Sequence, residues 1–151
     1  MKKLITLILA VIIIFGVYFL FNTNSSPTIT EKEQTKVLLF FIKAGSEEVV
    51  AIQIQVKKEN AERNTLEELL KGPKDPEKYF SVIPTGVKIQ SFRIENRIVH
   101  VDFSGELEKE IAGSMQVLAI REQVERTLKQ FESVNEVIIS INGRTEDILQ
   151  P

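Results

Sequence analysis

The sequence predicts an α+β domain, a small mostly antiparallel sheet with two helices on one face, following an N-terminal apolar helix. Three observations predict it. Apolar residues recur with a period of two in some segments and 3.6 in others, in the order β-β-α-β-β-α-β. Turn and stop signals (Gly45-Ser46, Gly72-Pro73, Pro84-Thr85-Gly86, Asn96, Asn142-Gly143) separate those segments. Finally, 151 residues, 43% of them hydrophobic, suffice for one core of ordinary size and not for two.

Leu4 to Phe21 is uncharged and broken only by Thr6, Gly16 and Tyr18. As a helix it spans about 27 Å at 1.5 Å per residue, close to a hydrocarbon core of about 30 Å. Lys2 and Lys3 precede it, so the positive-inside bias leaves the amino terminus in the cytoplasm and exports the rest. A cleaved signal peptide competes with this reading, but its apolar region is shorter and ends in a small-x-small site. Thr23-Asn24-Ser25 imitates that site poorly, so a retained single-pass anchor over residues 1–21 is expected. Residues 22–36 are polar, aperiodic and contain Pro27, which reads as a linker. A single domain is expected over residues 37–151.

The domain opens with Val37 to Lys43, a short apolar run that reads as a strand buried on both faces. After Gly45-Ser46, Val50, Ile52, Ile54 and Val56 alternate with Ala51, Gln53, Gln55 and Lys57, giving an antiparallel partner with one wet face. A helix follows, with Thr65 expected as N-cap and Glu68 completing a capping box. Leu66, Leu69 and Leu70 form its apolar stripe and Gly72-Pro73 stops it. Tyr79 to Ile83 is an apolar patch. Val87 to Glu95 and Arg97 to Phe103 read as a hairpin around Asn96, with Val99, Val101 and Phe103 facing one way. In the first arm Val87 and Ile89 are out of phase with Phe92 and Ile94, which a bulge near Gln90 or Ser91 repairs. Met115 to Phe131 reads as the longer helix, apolar at 117, 120, 124, 128 and 131, with Ser114 as N-cap. Val137, Ile139 and Ile141 mark the last strand.

Composition excludes several functions. The chain has no cysteine, which removes disulfides, thiolate metal sites and cysteine nucleophiles. With 19 basic and 21 acidic side chains it lacks the basic face that displaces counterions from nucleic acid. His100, the only histidine, shares a strand face with Ile98 and Asp102, but no nucleophile accompanies it and a surface imidazole is the expected role. Asp102 and Ser104 are expected to cap the next turn. Glu106, Glu108 and Glu110 lack the spacing of a calcium loop. Hydrolase and nucleotide-binding motifs are absent from the sequence, so neither enzyme activity nor a cofactor is expected.

A resemblance adds to this. Leu69-Leu70-Lys71-Gly72-Pro73, Ile83-Pro84-Thr85-Gly86-Val87, Val101-Asp102-Phe103-Ser104-Gly105-Glu106, Gly113-Ser114 and Thr127-Leu128-Lys129-Gln130-Phe131 follow one another in the chain. With Val134, Val137 and Asn142-Gly143 they resemble the GerMN domain of sporulation and germination proteins over about residues 37–143. The resemblance implies a fold similar to ring-building modules and an extracytoplasmic role, often on a membrane or lipid anchor, at the boundary between mother cell and forespore. Ala112-Gly113 stands where the family tends to have a glycine pair. Unlike members with two such domains or a lipidated cysteine, this chain has one domain and no cysteine.

Together these readings predict a non-catalytic, membrane-anchored assembly or scaffold module whose partners are envelope proteins or further copies of itself. The alternative is a peptidoglycan-binding module, for which Tyr79 beside Phe80 is the available aromatic pair in a chain without tryptophan. Turn exposure and the resemblance suggest Pro84, Thr85, Gly86, Gly113 and Ser114 as the interaction surface.

Overall fold

A computed structural model describes residues 33–109, 111, 113–145 and 148. The expected anchor and the expected linker up to residue 32 lie outside the described residues. No helix among the described residues is long and apolar enough to cross a membrane.

Strand β1 (Gln34–Lys43) begins three residues before the expected Val37 and pairs along its length with β2 (Val49–Lys57) in antiparallel register. Val37, Leu39 and Phe41 are buried, whereas Leu38, Phe40 and Ile42 on the other face are half-buried. β1 is therefore fully covered on one face and partly on the other. β2 has one covered and one wet face, as its alternation predicts.

Helix α1 (Ala61–Leu70) starts four residues before the expected cap. Asn60 is its N-cap, in the left-handed conformation at φ 55°, so the chain turns straight from β2 into the helix. The Asn64 side chain holds that junction, its Nδ2 donating to Lys57 O at 3.1 Å and Glu59 O at 2.7 Å. Thr65 consequently lies mid-helix, buried, its hydroxyl donating to Ala61 O at 2.6 Å. The capping-box pattern misled because a buried threonine can satisfy its hydroxyl on the preceding turn. Gly72, at φ 80°, ends the helix: its N–H donates to Leu69 O in a conformation that side chains disfavour.

Between α1 and the next long strand only β3 (Tyr79–Phe80) forms, adding to the β1 end of the first sheet, with strand order β2-β1-β3. Pro73, Pro76 and Pro84 bracket this stretch, and each lacks the N–H that a longer ladder needs.

β4 (Ile89–Glu95) and β5 (Ile98–Phe103) form the expected hairpin. Its loop is Asn96-Arg97, both at positive φ (52° and 65°), as a two-residue turn matched to strand twist requires. The register shifts between Ile89 and Ser91, where the phase of the apolar residues predicts a bulge. A short helix α2 (Glu106–Lys109), too brief for a periodic signal, follows. Helix α3 (Ser114–Lys129) starts one residue after its N-cap, Gly113, whose φ of 150° no side chain adopts comfortably. Ser114 is the first helical residue and not the cap. Val117, Ile120, Val124 and Leu128 are buried along one face.

β6 (Glu136–Ile141) lies parallel to β5, giving a second sheet in the order β4-β5-β6. The expected single sheet is therefore two. Three pairings are antiparallel. The fourth is parallel because α3 carries the chain back across the sheet, the crossover that a parallel pair needs. Nor do the helices share one face of one sheet: α1 packs on β1 and β2, while α3 packs on α1, β1 and β6. The main core cluster joins them, with Leu39 and Phe41 from the first sheet, Val101 and Ile141 from the second, Leu69 from α1 and Leu128 from α3, and Val37, Val56 and Ala61 form a smaller cluster. Burial of such side chains stabilises by about 1.5–3 kcal/mol each.

Candidate functional site

The residues that could carry chemistry converge at the end of β5 and β6, where they bind one another. Asp102 Oδ1 accepts from the Ser140 hydroxyl at 2.7 Å and from the Gly143 N–H at 2.8 Å. The Asn142 N–H donates to Phe103 O at 3.0 Å, and the Asn142 side chain accepts from Gln90 Nε2 at 3.0 Å. A Cβ at Gly105 would lie 2.8 Å from Asn142 Nδ2, so glycine leaves room for that side chain. Ser104 Oγ accepts from the Lys88 N–H at 3.0 Å. Arg144 reaches back to Glu108 at 2.7 Å. The Asp102-to-Glu106 stretch and Asn142-Gly143 thus form one polar clasp that ties the turn after β6 to the end of β5.

Glu106 belongs to this clasp electrostatically. The Ser104 hydroxyl, its own backbone N–H and the Lys109 ammonium hold its carboxyl down, from an ordinary 4.5 to about 2. These are structural hydrogen bonds at an exposed helix start, where a negative charge is favoured.

His100 is half-buried, with Arg93 and Ile138 as its neighbours across the sheet. Asp102 Oδ1 accepts from Ser140 and Gly143, and among the described residues His100 and Asp102 make no hydrogen bond of the kind that orients a general base. Among the described residues no group of three histidine, aspartate or glutamate side chains could hold a metal ion.

The suggested interaction surface divides. Thr85, Gly86 and Ser114 are exposed and Gly113 is half-buried, but Pro84 is buried beside Ile83. The segment entering this turn lies along α3: Gln116 Nε2 donates to Val82 O at 3.5 Å, and Gln123 Oε1 accepts from Ser81 Oγ at 3.2 Å and Val82 N at 3.3 Å. These glutamines hold Ser81 and Val82, ahead of the turn, against α3.

Two further surfaces carry no polar motif that sequence reasoning could seize. Met115 (78% exposed) and Leu118 (61%) project one turn apart from α3, and Phe80 (43%) and Val49 (39%) flank Ile42 on the outer face of the first sheet. On the other side, a groove of about 820 Å³ runs beside β2, with Ile52, Ile54, Leu39 and Phe41 among its apolar walls and Lys71 to Asp75 on its rim. Tyr79 closes one part of it. The alternation in β2 and the helical stripe of α3 hint at these faces, but which residues stay uncovered depends on tertiary packing.

Comparison with known proteins places the chain. A family model described as Germane, sporulation and spore germination, matches residues 17–147. Among curated proteins nothing matches in sequence. The structure is similar to the first GerMN domain of the sporulation protein GerM from Bacillus subtilis, with TM-score 0.62 and 26% identity over 74% of this chain and 85% of that one. It is also similar in fold to the tandem GerMN domains of the same protein, with TM-score 0.61 and 19% identity, covering 76% of this chain and 41% of that chain. The chain belongs to the Germane family of sporulation and spore-germination proteins.

Proposed function

We propose that this protein is a non-catalytic assembly module of the cell envelope, held at the membrane by its N-terminal apolar segment and presenting its domain outside the cytoplasm. One observation carries the reading: Asp102 and Ser104 are engaged in the clasp between β5 and β6, His100 stands apart from them facing Arg93 and Ile138, and large apolar side chains are exposed. Met115 and Leu118 on α3, and Phe80 and Val49 on either side of Ile42 in the first sheet, are the kind of uncovered large side chains that a protein partner buries. Tethering favours such a module, because a weak contact becomes effective when both partners are confined. Similarity to the GerM domain supports placing the work in spore formation or germination.

A peptidoglycan-binding module is the second reading, favoured by Tyr79 on the wall of the groove and Phe80 exposed beside it. Cross-linking the full-length protein in host membranes, in growing and in sporulating cells, separates the two. Recovery of envelope proteins or of a ladder of the protein itself supports assembly. Recovery of wall fragments without any protein partner overturns it and favours wall binding.

A further inference from the structure

Sheet edges expose unpaired backbone groups, and proteins blunt them. In this domain three edges are managed. The open side of β1 is filled by β3 and by the amides of Gln130 and Gln123 from α3. β4 carries a bulge and the charged pair Arg93 and Glu95. β6 is short, and the chain folds back on its end, the Ile141 N–H donating to Arg144 O. β2 differs. It is nine residues long, pairs only with β1 among the described residues, and runs from Val49 to Val56 without a charge, a proline, a glycine or a bulge.

The covered face of β2 is also incomplete. Ile52 and Ile54 remain half-buried although their cross-strand partners Leu39 and Val37 are buried, and the groove opens at that edge. The ends of the strand are oppositely charged: Glu47-Glu48 precede it, and Lys57-Lys58 close it. An antiparallel copy of the same segment therefore sets acidic end against basic end, whereas a parallel copy sets like against like.

We propose that β2 is a self-association edge, across which two copies of this chain join their three-stranded sheets into one. A two-fold axis normal to the sheet keeps the covered faces on one side, so residues of like face must oppose one another. A register centred on Gln53 also matches charges, and unlike the one centred on Ile52 it sets the two half-buried isoleucines against each other. It sets Ile52 against Ile54 of the second copy, Val50 against Val56, Ala51 against Gln55 and Glu48 against Lys58. The half-buried isoleucines then complete one another's cover. This deepens the assembly reading and rests on it.

The chain has no cysteine, which allows a direct test. In full-length protein in membranes, Gln53→Cys should form a disulfide-linked homodimer on mild oxidation. Opposed residues on an antiparallel pair lie about 4.5–5.5 Å apart, within reach of a disulfide. Ala51→Cys and Gln55→Cys should each fail alone and cross-link when mixed. Lys57→Glu with Lys58→Glu should weaken self-association about tenfold or more, and mixing it with Glu47→Lys plus Glu48→Lys should restore it between unlike copies. These side chains are exposed, so the variants fold. No dimer from Gln53→Cys, or charge variants that fail to rescue each other, overturns the proposal, and so does a cross-link from residue 53 to another protein or to this chain's own N-terminal segment. Capture of envelope partners without the Gln53→Cys dimer leaves the assembly reading standing and removes only the β2 edge. A Gln53→Cys dimer without any other envelope partner supports the β2 edge and narrows assembly to self-association.

Discussion

Gln130 pairs with Leu38 as a neighbouring strand would: its Oε1 accepts from the Leu38 N–H at 2.7 Å and its Nε2 donates to Leu38 O at 2.8 Å. One side chain at the end of α3 thus replaces a length of missing strand along β1. Gln123, two turns earlier on the helix, donates to Phe40 O at 2.7 Å. The helix is locked to the sheet by backbone recognition in addition to apolar packing.

Gln130→Ala should therefore destabilise the domain by about 1–2 kcal/mol, the cost of leaving half-buried main-chain groups without their partner. Urea unfolding measures the loss. Hydrogen exchange at the Leu38 amide should accelerate more than exchange in β5, since the opening is local to the β1 edge. Equal acceleration throughout would mean that Gln130 acts only on global stability.

Asp102→Ala should free the turn after β6. Two hydrogen bonds to a carboxylate disappear, one from Ser140 and one from the Gly143 N–H. Partial exposure keeps the cost near about 1–2 kcal/mol. Asp102→Asn retains an acceptor and should recover much of it, whereas a catalytic role would show loss of activity in both variants with little change in unfolding.

Glu106 supplies a pH prediction. Its carboxyl is lowered to about 2 from an ordinary 4.5, the Ser104 hydroxyl being the largest single cause and the Lys109 ammonium acting through both a hydrogen bond and its charge. A depressed carboxylate contributes stability above its unfolded value, and that contribution is lost as pH falls from about 4.5 towards 2. NMR titration should find the low midpoint in the native protein. Ser104→Ala and Lys109→Ala should each raise it, and a midpoint that Ser104→Ala leaves unmoved would assign the shift to the ion pair.

Much of this architecture was legible because local signals agreed with one another. The bulge at Gln90 followed from a phase error between Ile89 and Phe92, and the buried face of α3 from its apolar spacing. What escaped depended on contacts between distant segments. Thr65 carries the same local pattern whether it caps a helix or bonds back within one, and Asn60 decided the matter through the turn out of β2. The division into two sheets was hidden for a similar reason: no residue in β3 announces that its ladder stops after two residues. Asp102 and Ser104 were expected to cap a nearby turn. Ser104 does hold local backbone, but Asp102 reaches a turn some forty residues later, which only the β5–β6 pairing brings near.

Two buried threonines make a paired prediction. Thr65 and Thr127 are both 0% exposed. Thr65 donates to Ala61 O, whereas Thr127 Oγ1 has no hydrogen-bond partner among the described residues. A buried hydroxyl without a partner costs about 1–3 kcal/mol by protein mutational scales, and valine has nearly the same shape. Thr127→Val should therefore stabilise the domain by about 1 kcal/mol, since threonine and valine are both β-branched and have nearly the same helix preference. Thr65→Val loses a made hydrogen bond and gains apolar burial, so its effect should be near zero or unfavourable. Thermal unfolding of the two variants side by side checks the difference: a rise in midpoint is expected for Thr127→Val and none for Thr65→Val. Equal shifts would show that Thr127 finds a partner in solution, most simply a carbonyl of its own helix, and that the two hydroxyls are in the same state.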